Sequence, residues 1–321
     1  MIKSLIKAAI KVLPHSFKRK IRKKTKPVKL LFKQWKTAKK WDKYIDQFLS
    51  GKFEPFTAIP LKPELVAQKI IWQYWHQGID ENTPKIVINC LNSVKKHCNG
   101  YKIILLTENN LNEYLKFPKF IWEKLGKNAF NITKLSNLIR LYLLSAYGGV
   151  WIDATIFLSN PIKESWLNKD FFVFQRSKVP PIDADIFKRH NPSYFSWKSL
   201  WQVRMVSSFI IAKHENKIIK DILSLHIHFW KNEKRVEYYY IIQVLFNRMM
   251  QRPEWKYLNC DEIVDCTETA RILIVAFDKF DLRIWNEITA KSNIHKLTYF
   301  EKQRPIGSFA DFLMNEEASK I

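Results

Sequence analysis

Residues 147–155 read Tyr-Gly-Gly-Val-Trp-Ile-Asp-Ala-Thr, and the order of residue types in this stretch decides the fold. Upstream of it, Leu135, Leu138, Ile139, Tyr142 and Ala146 recur at helical spacing, so a helix runs into the paired glycines. Gly148 suits the left-handed residue that ends such a helix, because it has no Cβ to clash. The chain holds 7 glycines in all, which makes an adjacent pair a positional signal. From Val150 to Phe157 the sequence then reads as one strand, apolar apart from Asp153. An unpaired carboxylate is costly to bury there, which predicts a ligand or an ion at the strand end.

Toward the N-terminus, Ile70 to Trp75 read as a buried strand that ends where His76, Gln77 and Gly78 begin a loop. Thr83 is the expected N-cap of the next helix, with Pro84 at its first position, and Val87, Cys90, Leu91 and Val94 mark its buried face. Ile103 to Leu106 form a second strand, and residues 110–126 read as helical. Alternating strands and helices predict an α/β domain with a mainly parallel sheet. Ligands of such sheets bind beyond the carboxyl ends of the strands, where His76 and Asp153 fall.

With 321 residues, 47% of them hydrophobic, the chain can bury a full core. Its formal net charge of +24 points to anionic partners, and the distribution of that charge is uneven. Residues 1–40 carry 15 of the 54 Lys and Arg and no Asp or Glu. Within them, Ile2, Leu5, Ile6, Ala9 and Leu13 share one helical face while Lys3, Lys7 and Lys11 line another, an amphipathic pattern too short and too charged to span a bilayer. The basic run from Lys18 to Lys29 follows, and Leu31, Phe32 and Trp35 offer a second apolar face. Residues 1–50 are therefore expected to form a basic helical extension that lies on an anionic membrane surface through residues 1–40, ahead of a domain over 51–321. A disordered basic tail is the bland alternative. No nucleic-acid-binding pattern occurs, so no nucleic acid partner is expected. Cys90, Cys98, Cys260 and Cys266 lack the spacing of zinc sites or of a disulfide framework, which fits a reducing cytoplasm.

The 147–155 run, together with Ser136-Asn137-Leu138-Ile139-Arg140 before it, resembles the capsular polysaccharide synthesis family, related to the DXD-containing, family 32-like glycosyltransferases. The likeness extends to IIWQYWHQG at 70–78, SSFIIAKHE at 207–215 and IHKLTYF at 294–300. It implies a GT-A, Rossmann-like domain that moves a sugar from a nucleotide-sugar donor, with retention at the transferred carbon, onto a lipid-linked or polysaccharide acceptor of a bacterial capsule. It also implies a divalent metal, Mn²⁺ or Mg²⁺; together with the membrane-binding extension, the expected location is cytoplasmic, peripheral on the inner face of the bacterial cell membrane.

Carried onto this chain, the resemblance gives Asp153 the metal or donor-ribose role, Arg140 a clamp on phosphate or sugar oxygens, and Asn137 a hydrogen bond to sugar hydroxyls. Donor binding is assigned to Trp75 and His76, which stack on the base, and to Gln73, Ser136, Gly148, Gly149, Thr155 and Lys296. His295 is a metal ligand or else a surface histidine. Relatives often have a second Asp where this chain has Thr155, a poorer partner for a hard cation, and Asp where it has Asn137. Asp183-Ala184-Asp185 is a literal DXD, but after two prolines it reads as a loop, with an acceptor-side role open. Tyr238, Tyr239 and Tyr240 either line an acceptor groove or pack. For Asp153 the competing reading is an acid paired with a neighbouring base; the enzymatic reading requires it to face a cavity and not to be bridged to a structural cation of the protein itself. Alternatives for the whole chain are an inactive homologue that scaffolds capsule assembly and a sugar-phosphate transferase.

Overall fold

Strand β1 (Ile70–Tyr74) is buried along its whole length and pairs in parallel with β2 (Lys102–Leu106) on one side and β3 (Gly149–Ile152) on the other. That double burial explains its run of large residues: Ile70 and Trp72 enter the core on one face and Ile71 the core on the other. The computed structural model describes residues 15–127, 130–236, 238–256, 258, 263–300 and 304–315, with side chains from residue 27 onward. The expected amphipathic helix at 2–13, the side chains of the basic run up to residue 26, and Cys260 lie outside the described residues.

The central sheet has the order β2-β1-β3-β6-β5, with β5 at Phe171–Gln175 and β6 at Met205–Ala212. Strand β6 is antiparallel to both β3 and β5, so every other strand of this sheet runs in one direction. The sheet is mainly parallel, as the sequence predicts, with one reversed strand inside it. A second small sheet pairs β4 (Ile156–Leu158) antiparallel with β7 (Ile294–Lys296).

Helix α1 (His15–Leu49), α3 (Ile132–Ala146), α4 (Lys217–Asn232) and α5 (Ile241–Met249) cover one face of the sheet, while α2 (Lys85–His97) packs with α6 (Leu282–Lys291) beyond the other. From Gln34 onward the inner side of α1 belongs to the core. Trp41 is fully buried, donates to the Ile241 carbonyl at 3.0 Å, and packs 4.6 Å from the Phe229 ring.

Three local expectations change. Pro84, not Thr83, precedes α2, because the Thr83 hydroxyl is occupied by Asp80 in a turn. Residues 110–126 split into a 3-10 turn at Leu111–Glu113 and a helix at Lys119–Lys124, since Pro118 cannot donate within a continuous helix. The strand predicted over 150–157 breaks at Asp153, whose carbonyl accepts from Ile156 at 2.9 Å in a turn that sends β4 into the second sheet.

Candidate active site

The chain leaves β1 in one direction toward β2 and returns to its other side as β3, so the carboxyl ends of β1 and β3 flank a topological switch point. A cavity of about 630 Å³ opens there. Trp75 and His76, which follow β1, line it with Asp153, which follows β3. Its wall on the α3 side carries Ser136, Asn137 and Arg140, while Thr155 arrives from the turn before β4 and Lys296 from β7. The helical spacing that put Ser136, Asn137 and Arg140 on one side is thus borne out.

Asp153 faces the cavity with its side chain 22% exposed, but it is not alone. Its Oδ1 accepts from Trp151 Nε1 at 2.7 Å and lies 3.2 Å from Arg140 Nη2. Its Oδ2 lies 3.4 Å from Lys296 Nζ. Burial pushes the carboxyl pKa up, yet Arg140, Lys296 and the Trp151 hydrogen bond outweigh it and hold the group below the usual carboxylate range. Asp153 thus faces a cavity, as the enzymatic reading requires, but it is also bridged to Arg140 and Lys296, cations of the protein itself, as the competing reading predicts and the enzymatic reading excluded.

Arg140 is buried and held from several sides. Its Nε donates to the Ser136 carbonyl at 3.2 Å, Nη2 to Ser136 Oγ at 3.1 Å, and Nη1 to the Ser207 carbonyl. Its guanidinium also stacks 5.0 Å from the Trp151 ring centre. Most of its donors are spent on the Ser136 and Ser207 contacts and on Asp153. Lys296, 34% exposed, reaches the Thr155 hydroxyl as well as Asp153. Two cations around one carboxylate leave this corner net positive, which suits a phosphorylated ligand.

Four expected site residues are not brought together with this cluster. Alternation along β7 turns His295 to the opposite face from Lys296, where it is fully buried, shares a 2.9 Å hydrogen bond with Ser159, and is held by burial at a pKa of about 3. Gln73 is buried 1% exposed in the middle of β1, away from the cavity lining. Gly148 and Gly149 stand at the start of β3, roughly 13 Å along the strand from Asp153. Their glycine identity has a packing cause: both have positive φ, and a Cβ would sit 2.5 Å from the His214 nitrogen at Gly148 and 2.5 Å from the Ile70 carbonyl oxygen at Gly149. The pair lets a helix end and a strand begin without an intervening loop. The Asp183-Ala184-Asp185 triplet, expected as a loop, opens the short helix Ala184–His190, and its acids pair with Arg271 and Lys188 outside the cavity.

The remaining wall comes from the tyrosine run, which the sequence left either lining a groove or packing, and from residues it did not single out. Tyr239 and Tyr240 line the cavity while Tyr238 packs inward, donating to the Ser193 carbonyl. Gln243 donates to Ser207 Oγ at 2.9 Å, and Asn191 to Tyr240 Oη at 3.1 Å. Ser207 and Tyr299 lay within stretches that carried the resemblance; Gln243, inside an apolar run, and His190 and Asn191, in a polar stretch before Pro192, had no signal. Across the cavity mouth, Trp75 and Tyr299 meet edge to face at 6.2 Å.

The donor set does not fit the implied divalent ion. Mn²⁺ and Mg²⁺ prefer several oxygen ligands, carboxylates foremost. Here one carboxylate is present with both oxygens committed, and the Thr155 hydroxyl is held by Lys296. Among the described residues there is no group of three or more His, Cys, Asp or Glu that could hold a metal. A dication about 4 Å from either Arg140 or Lys296 would meet roughly 8 kcal/mol of repulsion at an effective dielectric constant near 20.

Comparison with known proteins gives three likenesses. A model of the capsular polysaccharide synthesis protein family matches residues 22–313. A curated O-glycosyltransferase, braB of Annulohypoxylon truncatum, is 26% identical over 182 residues, which is 54% of this chain; the chain spans 40% of the length of that relative. Because that organism is a fungus, the likeness is not confined to bacteria. A solved structure, PaToxG Glycosyltransferase, covers 71% of this chain and 80% of its own at 14% identity, with a TM-score of 0.34.

Proposed function

Because the chain belongs to the capsular polysaccharide synthesis protein family, we propose that it is a nucleotide-sugar-dependent glycosyltransferase of GT-A type, which moves a sugar onto a polysaccharide or lipid-linked acceptor. The observation that carries this reading is the convergence of Asp153, Arg140 and Lys296 on one cavity at the switch point of the sheet. Glycosyl transfer breaks the bond between the anomeric carbon and the diphosphate oxygen. The electron pair stays on phosphate, and the acceptor oxygen bonds the carbon. Charge therefore grows on the leaving group, and a preorganised positive corner favours that change.

The aromatic rim of Trp75 and Tyr299 suits a nucleobase, while Tyr239 and Tyr240 on the α5 side suit the flat faces of sugar rings in the acceptor. Asn137 lines the same cavity, where its amide can both accept from and donate to sugar hydroxyls. The exposed side of α1, with Phe32 and Trp35 among lysines, would hold the enzyme against anionic lipid on the inner face of the cell membrane, next to a lipid-linked acceptor. Among the described residues no helix is long and apolar enough to cross a membrane.

A panel of nucleotide sugars screened by thermal shift, followed by product mass on a lipid-linked or polysaccharide acceptor, tests the reading. One donor should raise the melting midpoint, and the acceptor should gain one glycosyl unit without phosphate. A product that retains phosphate would make the protein a sugar-phosphate transferase, and absence of any donor binding would overturn the proposal.

A further inference from the structure

The corner where a divalent ion is implied is already filled by a side-chain cation. Lys296 Nζ is placed by Asp153 Oδ2 at 3.4 Å and by the Thr155 hydroxyl, and Arg140 stands behind the same carboxylate at 3.2 Å. An ammonium has three N–H donors, and these two partners leave one to point into the cavity that Lys296 lines. An Asp at 155 would offer the two-carboxylate arrangement that a hard ion needs, whereas the Thr155 hydroxyl accepts from lysine and adds no charge.

We propose that Lys296, anchored by Asp153 and Thr155 and backed by Arg140, takes the place of a divalent ion and receives the donor diphosphate itself, so that transfer proceeds without a bound metal. This rests on the reading of the cavity as a donor site. In the transfer step the bond from the anomeric carbon to the diphosphate oxygen breaks with its electron pair kept by phosphate. The acceptor oxygen forms the new bond to carbon, and its proton passes to the departing diphosphate. Lys296 hydrogen-bonds the leaving oxygen throughout and stays an ammonium. The ion pair with Asp153 fixes the lysine in advance, so little reorganisation accompanies the build-up of charge.

The arrangement has a defined logic of exchange. If Lys296 stands in for an ion, removing it while supplying a second carboxylate should convert the site into one that needs a metal. The pair Thr155→Asp with Lys296→Ser makes that exchange, and both positions line the cavity, so the core is left intact.

Calorimetric titration of the full chain with UDP and with GDP, each in excess EDTA and in excess Mn²⁺, tests the proposal. For the diphosphate that binds, the dissociation constants in EDTA and in Mn²⁺ should agree within about threefold, and Lys296→Met should weaken binding on the order of tenfold or more in both conditions. The Thr155→Asp, Lys296→Ser double variant should bind in Mn²⁺ and not in EDTA. Wild-type binding that collapses in EDTA would overturn the role of Lys296 while leaving the donor site in place. So would full affinity in Lys296→Met, or a double variant that melts cooperatively and ignores Mn²⁺. Failure of every nucleoside diphosphate in both conditions would overturn this proposal and the donor site together.

Discussion

Lys296 Nζ and Asp153 Oδ2 meet at 3.4 Å although 143 residues separate them in the chain. The contact exists because the turn after Asp153 starts β4, and β4 pairs with β7, whose last residue is Lys296. Chemistry and fold closure are therefore joined at one ion pair, and its loss should be felt in both.

Replacing Asp153 with Asn keeps the shape and removes the charge between Arg140 and Lys296. The buried Arg140 then loses its carboxylate, which should cost roughly 3 kcal/mol at neutral pH, the low end for a broken buried pair because Asp153 keeps some solvent contact. The sign with pH follows from the depressed carboxyl pKa in the folded chain. Stability from Asp153 is fully present above the unfolded carboxylate value of about 4 and is lost as pH falls through the lower folded value. Urea midpoints of wild type and Asp153→Asn should therefore differ at neutral pH and converge in strong acid. A constant gap across that range would mean that the pair does not set the pKa.

Gly149→Ala separates a packing role from a ligand-binding role for the paired glycines. Its φ is +102° and the added methyl would meet the Ile70 carbonyl oxygen at 2.5 Å, inside the β1–β3 pairing. The variant should lose more than about 1 kcal/mol of stability. Protein that remains folded should bind its nucleotide donor with unchanged affinity, because the cavity is at the other end of β3. Titration at low temperature, where the variant stays folded, makes the comparison; a specific loss of affinity would return the glycines to the donor site.

Much of this was legible in the sequence for a physical reason. Helix α3, its end at Gly148 and the start of β3 follow from local steric rules, and local rules are written in adjacent residues. What could not be read was which face a residue turns to after a break in the pattern. The Val150–Phe157 run looked continuous because both halves are buried, yet in different sheets, and that break is what aims Thr155 at Lys296. His295 and Lys296 are neighbours, so the motif could not tell the residue in the cavity from the residue in the core; only the pairing with β4 decides it. The cavity wall at Asn191, Tyr239 and Gln243 comes from segments that meet through tertiary packing alone.

A second pH effect should come from the core. His226 is fully buried beside Trp41, with rings 5.1 Å apart, and both of its ring nitrogens lack a hydrogen-bond partner among the described residues. Burial, aided by the nearby Lys134, holds its pKa at about 3. Between that value and the ordinary 6.5 the unfolded chain binds a proton that the folded chain refuses, so stability falls as pH falls through this window. The loss amounts to ~2 kcal/mol at pH 5. His226→Leu should lessen the fall between neutral pH and pH 5 by about 2 kcal/mol, measured by urea midpoints, while His295, also held at about 3, keeps its own share. An unchanged slope would place the acid sensitivity elsewhere.

Membrane attachment can be tested on α1 without damage to the fold. Its inner side is core, since Trp41 and Ile45 are fully buried, so removing residues 1–50 would unfold the protein instead of detaching it. The outer side exposes Val28, Phe32 and Trp35 at 67%, 53% and 52%, with the last two rings stacked at 5.7 Å and the Lys36 ammonium 5.1 Å from the Phe32 ring centre. Leu200 continues this apolar strip at 66% exposed. Rings that enter a lipid interface beside lysines gain from burial and from attraction to anionic headgroups at once. Each ring is worth roughly 1.5 to 3 kcal/mol when fully buried. Phe32→Ser with Trp35→Ser should therefore leave the melting midpoint nearly unchanged and weaken sedimentation with phosphatidylglycerol vesicles by about tenfold or more. Phosphatidylcholine vesicles should bind neither protein appreciably. Equal sedimentation of the variant and the wild type would exclude this face of α1 as the membrane contact.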